Sequence, residues 1–307
     1  MKKCVIIYNE KSGKVKSSEL IDYFYNITRE NGYDLEVICT KRKGHATSII
    51  KELPDDVDLV ISAGGDGTFN ECIKGNLERK NKLVMGNLPL GTTNDVGNMY
   101  GLGHDYKQNL ISILNGVKKN IDIILINGHP FIYVAAFGNF INVTYDTPKK
   151  LKEKFGRLAY VLFGITEFNE KIRMNHIKYT IDGKTHEGEY SYIFITNSNR
   201  IGGVNDIYHD IKLDDNKFEV LLCNIKNKAE IIRSLYLMRN KGIENVPGCE
   251  YYCTSSLKIE FDKAPDFSWG LDGEEYKTKS KTFDFTVNKD INILLPEYNI
   301  DKLFVEK

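Results

Sequence analysis

Short apolar runs alternate with helical stretches through the first third of the chain, and this alternation constrains the fold more than any other feature. The residue pattern predicts strands at 3–8, 35–39, 59–62 and 83–87, and helices at 18–31, 45–52, 70–75 and 93–99. Such alternation is typical of βαβ units around a parallel sheet. We therefore predict an N-terminal α/β domain over residues 1–122.

The pattern changes after residue 122 to short alternating or aromatic strands. We predict strands at 131–137, 176–181, 190–197, 218–223, 256–261, 282–287 and 291–295, with helices at 151–170 and 229–241. Asp182-Gly183 and Asp272-Gly273 are typical of tight hairpin turns. These features predict an antiparallel β-sandwich over residues 123–296, with a tail, 297–307, that packs back on the first domain.

Charge and cysteine usage exclude several classes of protein. The chain has 42 basic and 42 acidic residues, so its formal charge is zero and nothing favours a nucleic-acid partner. Its apolar runs are far shorter than the roughly 20 residues that span a bilayer. The six cysteines form no C-x-x-C pair, and no zinc-ligand spacing is present. We expect a cytoplasmic protein that at most binds the inner face of a membrane.

A glycine-rich segment follows the predicted strand at 59–62. Gly64, Gly65 and Gly67 would let the backbone approach a ligand closely. The helix that follows presents its N-terminus to an anion such as phosphate. Asp66, which only accepts hydrogen bonds when ionised, suits a hydrated Mg²⁺ or a hydroxyl group. The alternative is a strand-to-helix turn that binds nothing.

Two further turns of this kind follow neighbouring strands. One runs through Gly91, Thr92 and Asp95, and the other occupies residues 9–14. The carboxyl ends of parallel strands lie at one edge of an open sheet, where ligands bind at a topological switch point. The three turns therefore predict a single ligand crevice.

These motifs resemble the bacterial diacylglycerol kinase family of lipid kinases, over nearly the whole chain. The matching residues are Asn9, Ser12-Gly13, Gly44-His45-Ala46, Gly64-Gly65-Asp66-Gly67-Thr68, Asn70-Glu71, Leu90-Gly91-Thr92, Asn94-Asp95, the segment 155–160 and Leu271-Asp272-Gly273-Glu274. The resemblance implies an α/β nucleotide-binding domain like those of NAD kinases and phosphofructokinases. It also implies a C-terminal β-sandwich and an active site between the two.

The resemblance also assigns roles to individual residues. It implies an ATP site lined by Asn9, Glu10, Lys11, Ser12, Gly13, Thr40, Gly65, Asp66, Gly67, Thr68, Phe69, Asn70, Glu71 and Thr92. Asp66 and Asp95 would organise Mg²⁺ and the acceptor hydroxyl, and Glu274 would be the general base. From the residues alone, Glu274 could equally be a solvated residue of a hairpin.

Residues 211–218 are similar to the family's structural Mg²⁺ loop. The match implies that the carbonyl groups of Lys212 and Lys217 and the carboxylate of Asp215 are metal ligands, with waters completing the octahedron. Asn216 replaces a glycine that is usual in this loop, although asparagine tolerates the left-handed conformation. The alternative is a polar turn before a strand.

Two other departures lie in the nucleotide turns. Glu10 stands where the family usually has a proline, and Asn98 stands where a basic residue commonly follows the Asn-Asp turn. Neither removes a proposed catalytic group. Both could alter nucleotide affinity or loop geometry.

Together these features predict an ATP- and Mg²⁺-dependent kinase that phosphorylates diacylglycerol or a related glycerolipid. An NAD kinase is one alternative, although Asn70-Glu71 here follow the glycine turn immediately, unlike the usual arrangement in that family. A non-catalytic sensor is another, but a sensor has no need to keep Asp66, Asp95 and Glu274.

The expected partner is a lipid at a membrane surface, and a homodimer is compatible with the sequence. Residues 148–157 contain five basic residues and one acidic residue, and they lie at the start of the amphipathic helix predicted at 151–170. A basic rim of this kind attracts anionic lipids. The alternative is a solvated helix face.

Overall fold

The computed structural model describes residues 1–12, 17–138, 172–198 and 211–305. The chain divides into two compact units, one formed by residues 1–122 with 289–307 and the other by residues 123–288. The helix predicted at 151–170, the basic segment at 148–157 and Gly13 lie outside the described residues. No helix in the described part of the chain is long and apolar enough to cross a membrane.

The helices and strands are numbered along the chain. The strands are β1 Lys2–Tyr8, β2 Tyr33–Cys39, β3 Leu59–Gly64, β4 Met85–Pro89, β5 Val117–Ile126, β6 His129–Phe131, β7 Val134–Gly138, β8 Asn175–Ile181, β9 Lys184–Tyr190, β10 Tyr192–Thr196, β11 Phe218–Cys223, β12 Cys249–Thr254, β13 Ser256–Phe261, β14 Trp269–Leu271, β15 Glu274–Tyr276 and β16 Thr282–Leu295. The helices are α1 Ser17–Glu30, α2 His45–Glu52, α3 Asp66–Leu77, α4 Asp95–Met99, α5 Tyr106–Leu114, α6 Lys228–Lys241 and α7 Ile300–Leu303.

The first unit is built on a parallel sheet with the strand order β2-β1-β3-β4, and the end of β16 pairs in parallel with β4. The chain leaves β1 for β2 at one edge and then crosses back to β3 on the other side of β1. The direction of winding therefore reverses between β1 and β3, which makes this the topological switch point. The predicted α/β fold is confirmed.

Helix α1 shows how the first unit buries its apolar residues. Leu20, Phe24 and Thr28 recur every four residues and are all buried. This spacing places them on one face of a helix. The ring of Phe24 meets the ring of Tyr8 edge to face, with centroids 6.1 Å apart, so the helix packs on the central strand β1.

The second unit contains two antiparallel sheets, which confirms the predicted sandwich. One has β16, β13, β8 and β9 in order, with β5 and β6 alongside, and the other has the order β12-β11-β10-β7-β14-β15. Side chains of both sheets form a single core. Trp269 lies within it, with ring centroids 5.3 Å from Phe137, 5.4 Å from Phe283 and 5.3 Å from Phe285.

Several of the predicted elements were wrong in detail. The strand predicted at 131–137 is interrupted between β6 and β7, because the N–H groups of Ile132 and Tyr133 donate to the carboxylate of Asp272. The strands predicted at 282–287 and 291–295 form one strand, β16, because the intervening polar residues continue its extended backbone. The helix predicted at 70–75 begins four residues earlier, at Asp66, because Gly65 acts as its N-cap.

A cluster of three tyrosine hydroxyl groups around Glu250 links β8 and β9 of one sheet to β12 of the other. Tyr179 and Tyr190 each donate to a different carboxylate oxygen of Glu250 at 2.7 Å, and Tyr252 donates at 2.8 Å. Burial acts to raise the pKa of Glu250, but these hydrogen bonds outweigh it and the pKa lies below the ordinary carboxyl value. The ionised form therefore stabilises the sandwich.

We expect Glu250→Gln to lower the free energy of unfolding by about 1–2 kcal/mol at neutral pH, because an amide accepts fewer and weaker hydrogen bonds. The deficit relative to wild type should be fully present above the ordinary pKa of 4.5 and shrink as the pH falls below it. Urea unfolding across this range measures it.

Glu187→Gln is the matched control. Glu187 lies on β9, and its side chain is 63% exposed beside Lys178. Exposed pairs contribute little, so a change of less than about 0.5 kcal/mol is expected. Equal effects of the two substitutions would refute the special role of Glu250.

Candidate active site

The ends of β1 and β3 meet at the switch point through Asn9 and Thr68. The backbone N–H of Asn9 donates to the carbonyl of Ala63 at 3.0 Å, and its side-chain amide donates to Oγ1 of Thr68 at 3.0 Å. Thr40 joins this edge because its N–H donates to the carbonyl of Tyr8 at 2.8 Å. Three of the predicted ATP-site residues therefore lie at the carboxyl end of the parallel sheet.

The glycine-rich turn leads directly from β3 into α3. Gly65 has an extended backbone, and its carbonyl accepts from the N–H groups of Thr68 at 2.9 Å and Phe69 at 3.2 Å. Asp66 and exposed Gly67 thus occupy the first turn of α3. The N-terminus of a helix favours negative charge, so this turn suits a phosphate group.

Asp66 connects this turn to the one after β4. Its two carboxylate oxygens accept from the backbone N–H groups of Asp95 at 3.0 Å and Val96 at 3.2 Å. These are the first two residues of α4, whose N–H groups have no partner within the helix. Asp66 is 9% exposed and Asp95 is 1% exposed, so the two predicted catalytic aspartates of this unit are largely buried, and the carboxylate of Asp66 is hydrogen-bonded to the backbone of Asp95.

The two turns also touch through glycines. A Cβ atom on Gly91 would lie 2.7 Å from the Cα of Gly65 and 2.7 Å from Oδ1 of Asn94. The approach is fixed by the N–H of Leu90, which donates to the carbonyl of Gly64 at 2.7 Å. Only a residue without a side chain fits at position 91.

Asn94 shapes the second turn from within. Its backbone is left-handed, with φ of 51°, and its side-chain amide donates to the carbonyl of Gly91 at 2.9 Å. Asparagine tolerates this conformation because its short side chain bonds the local backbone. Asn94 belongs to the family motif, but the sequence alone gives no sign of this role in the turn.

Two other predicted ATP-site residues, Glu71 and Phe69, have side chains that contact the protein itself. The carboxylate of Glu71 accepts from the N–H groups of Gly44 at 2.7 Å and Ala46 at 3.2 Å, so it positions the start of α2. Phe69 is fully buried, and its ring meets that of Tyr100 edge to face. Both side chains therefore make structural contacts within the first unit.

The remaining predicted ATP-site residues lie near the carboxyl edge of the parallel sheet. Glu10, Lys11 and Ser12 form a short 3-10 turn after β1. Thr92 is exposed in the second turn, and Asn70 is partly buried in α3. Their positions at the carboxyl edge of the sheet are compatible with nucleotide contact.

In the second unit, Glu274 follows a hairpin turn that is fixed by Asp272. Asp272 and Gly273 have φ of 49° and 84°, and Leu271 pairs with Glu274 across the turn, which confirms the predicted hairpin. The buried carboxylate of Asp272 accepts three successive backbone N–H groups, those of Ile132 at 2.7 Å and Tyr133 at 3.0 Å between β6 and β7, and that of Val134, the first residue of β7, at 3.0 Å. Glu274 itself is exposed.

Sequence reasoning missed this role of Asp272. The Asp-Gly dipeptide accounts for a hairpin by itself, so nothing in the sequence pointed to partners 138–140 residues away. The three N–H groups fix the hairpin on β7. Asp272 is therefore a positioning residue for the proposed base.

The loop before β11 turns at Asp215 and Asn216. Oδ1 of Asp215 accepts the N–H of Lys217 at 3.0 Å, and Asn216 takes the left-handed conformation with φ of 61°. Ile211 and Leu213 are buried and anchor the loop.

Two further observations bear on a metal at this loop. No three His, Cys, Asp or Glu side chains cluster as a metal site within the described ranges, so a cation here would depend on main-chain carbonyls, including those of Lys212 and Lys217. Burial, together with the negative charge of Asp215, raises the pKa of Glu219 to about 8. Oε2 of Glu219 is buried with no hydrogen-bond partner among the described residues. The carboxylate of Asp215 and the two main-chain carbonyls are oxygen ligands of the kind that a hard divalent cation takes.

The chain is similar to known proteins in both sequence and fold. A model of the diacylglycerol kinase catalytic domain matches residues 3–126, and a model of the YegS C-terminal NAD kinase beta sandwich-like domain matches residues 142–292. The diacylglycerol kinase of Bacillus subtilis (strain 168) is 31% identical over 305 residues, which are 99% of each chain. That of Staphylococcus aureus (strain MRSA252) is 30% identical over 297 residues, covering 96% of this chain and 93% of the relative.

Solved structures show the same fold. The crystal structure of a diacylglycerol kinase from Bacillus anthracis str. Sterne superposes with a TM-score of 0.80 and 21% sequence identity, covering 97% of this chain and 99% of the other. At this identity the likeness supports the fold alone.

We expect Gly91→Ala to lower the free energy of unfolding by about 1–3 kcal/mol, because the added methyl group would separate the two turns or distort them. It should also weaken binding of a non-hydrolysable ATP analogue in calorimetric titration. Gly103→Ala is the control, since a Cβ atom there meets nothing within 4 Å. If the two variants behave alike, the contact between the turns is unimportant.

We expect Asp272→Asn to cost about 2 kcal/mol of unfolding free energy, because an amide group cannot accept all three N–H groups and places its own N–H₂ against one of them. Asp182→Asn is the matched control. Asp182 also opens an Asp-Gly hairpin, with φ of 49°, but the hydrogen bond to its carboxylate comes from the hydroxyl of Thr254, at 2.9 Å. Denaturant unfolding should show the larger loss for Asp272→Asn, and the reverse order would contradict the assignment.

Proposed function

This chain belongs to the diacylglycerol kinase family, and on that premise we propose that it transfers the γ-phosphate of ATP to the hydroxyl group of diacylglycerol or a related glycerolipid. The products are ADP and phosphatidic acid or its analogue. The observation that carries the proposal is the junction of the two phosphate-type turns, with Asp66 hydrogen-bonded to the N-terminus of α4 at the switch point.

The first unit would bind the nucleotide. The N-terminus of α3, the Asn9–Thr68 pair and the exposed Thr92 offer donors to phosphate oxygens. Phosphoryl transfer depends on positioning and on neutralisation of charge, and rigid turns hold such donors at fixed positions. The contacts of Asp66 and of Glu71 with backbone N–H groups would provide that rigidity.

Glu274 would accept the proton of the lipid hydroxyl as its oxygen attacks the γ-phosphorus. An exposed carboxylate at the end of a fixed hairpin can reach an acceptor that diffuses to it. General-base catalysis requires contact with the hydroxyl, so the hairpin held by Asp272 would set the position of the base.

Divalent cations fit two places in this scheme. Mg²⁺ bound with ATP would offset the negative charge of the transferring phosphate. Asp66 and Asp95 would hold water and hydroxyl groups near it. In the second unit, Asp215 and the carbonyls of Lys212 and Lys217 would hold a structural ion that keeps the loop before β11 in place.

Labelled ATP, Mg²⁺ and a set of acceptors test the proposed substrate. The acceptors are diacylglycerol, phosphatidylglycerol, sphingosine and NAD, each presented with the purified full-length chain. The proposal predicts label in phosphatidic acid. Label in NADP alone would overturn it in favour of an NAD kinase, and label in no product would favour a non-catalytic nucleotide-binding protein.

We expect Glu274→Gln to lower kcat at least about a hundredfold, because an amide cannot take up the hydroxyl proton. Affinity for the ATP analogue should remain unchanged, since the nucleotide contacts belong to the first unit. Steady-state kinetics and calorimetry separate the two effects.

Glu275→Gln is the matched control for that substitution. Glu275 is the next residue of β15, and its carboxylate pairs with the ammonium of Lys277 at 3.2 Å. Near-normal turnover is expected from this variant. A Glu274→Gln enzyme with near-normal turnover would remove Glu274 from the mechanism.

A further inference from the structure

Two cysteines of the second unit face each other on neighbouring strands. Cys223 ends β11, Cys249 begins β12, and the two are direct partners in the antiparallel register. Their sulfur atoms lie 3.4 Å apart. Neither residue has a role in the proposed kinase reaction.

The strand geometry at this pair suits a covalent link. The N–H of Cys249 donates to the carbonyl of Val246 at 3.1 Å, so the two cysteines do not exchange a pair of backbone hydrogen bonds. In a non-hydrogen-bonded pair of an antiparallel sheet, the Cα atoms of the opposed residues lie about 4.5 Å apart. This distance is within the range of Cα–Cα separations that a disulfide spans. A small rotation of the side chains would bring the sulfur atoms to bonding distance without moving the strands.

The two thiols differ in reactivity. Cys223 is 3% exposed, whereas Cys249 is half-buried. The contact between the two sulfur atoms lowers the pKa of Cys249, and the same contact, with burial, raises the pKa of Cys223. Cys249 is therefore the sulfur that ionises first and attacks, since the thiolate is the nucleophile.

A small cavity is lined by residues that are neighbours of the two cysteines in the sequence. Asn224 and Gly248, the residues next to the two cysteines, line a cavity of about 280 Å³ together with Lys226, Glu230 and Arg233. Its size admits a small neutral oxidant. The cavity thus brings solvent and small solutes to this end of β11 and β12.

We propose that Cys223 and Cys249 form a redox modification site, where a hydroperoxide converts the two thiols into a cross-strand disulfide. The thiolate of Cys249 attacks one peroxide oxygen and breaks the O–O bond, giving a sulfenic acid and releasing water or an alcohol. The sulfur of Cys223 then attacks the sulfur of Cys249, the S–O bond breaks, and water leaves with the proton of Cys223. Two thiols are oxidised, and one peroxide is reduced.

The bond would close the segment that connects β11 to β12. That connection includes α6, so both ends of the helix-bearing segment would become covalently tied. Closing such a loop restricts the unfolded chain and raises its resistance to unfolding. Oxidation of the two thiols would therefore increase the stability of the second unit.

Treatment of the purified full-length chain with hydrogen peroxide, followed by alkylation and peptide mass spectrometry, tests the proposal. The expected product is a peptide pair joined through Cys223 and Cys249, lighter by two hydrogen atoms and reversed by dithiothreitol. The melting temperature should rise by roughly 5 °C on oxidation and fall back on reduction.

Cys253→Ser is the matched control, because Cys253 is an exposed cysteine of the same strand whose partner on β11 is Glu219. This variant should cross-link like wild type, whereas Cys223→Ser should leave Cys249 oxidised but unlinked. The wild-type measurement stands even if a cysteine variant folds poorly. The proposal is overturned if Cys223 and Cys249 remain as alkylatable as Cys253 after peroxide, or if Cys249 links to a different cysteine.

Discussion

The candidate nucleotide site depends on one carboxylate, that of Asp66, and on the two backbone N–H groups at the start of α4. These N–H groups have no partner within their own helix, and Asp66 supplies one from the first turn of α3. Hydrogen bonds to an ionised acceptor are stronger than neutral ones, particularly away from water. Together with the hydrogen bond from the N–H of Leu90 to the carbonyl of Gly64, this link holds the two turns together where Gly65 and Gly91 touch.

In the second unit, an aspartate that accepts backbone N–H groups likewise fixes the turn next to Glu274. Asp272 is buried and accepts three backbone N–H groups, and the hairpin that it fixes carries Glu274. In each unit, then, a buried aspartate orients a turn through backbone donors, and the residue assigned to chemistry stands on that turn. Backbone donors hold such positions more rigidly than flexible side chains do, which favours a reaction that depends on geometry.

The sequence predicted the periodic elements well and the contacts between distant residues poorly. Strand β11 and the hairpins at Asp182 and Asp272 follow from local patterns, because apolar runs and Asp-Gly turns act within a few residues. Strand β9 was missed because its side chains are mostly exposed and polar, so its place in the sheet comes from pairing with β8. Asp66 and Asp272 were noticed as residues, but their partners are set by tertiary structure.

Asp66 joins the two turns, and we expect the affinity for nucleotide to depend on this link. Calorimetric titration of a non-hydrolysable ATP analogue with Mg²⁺ into Asp66→Asn and Asp105→Asn tests it most directly. Asp105 also accepts two N–H groups at a helix start, those of Lys107 and Gln108, but within its own segment. We expect at least about a tenfold loss of affinity for Asp66→Asn and less than about a twofold change for Asp105→Asn. Wild-type affinity in Asp66→Asn would contradict it.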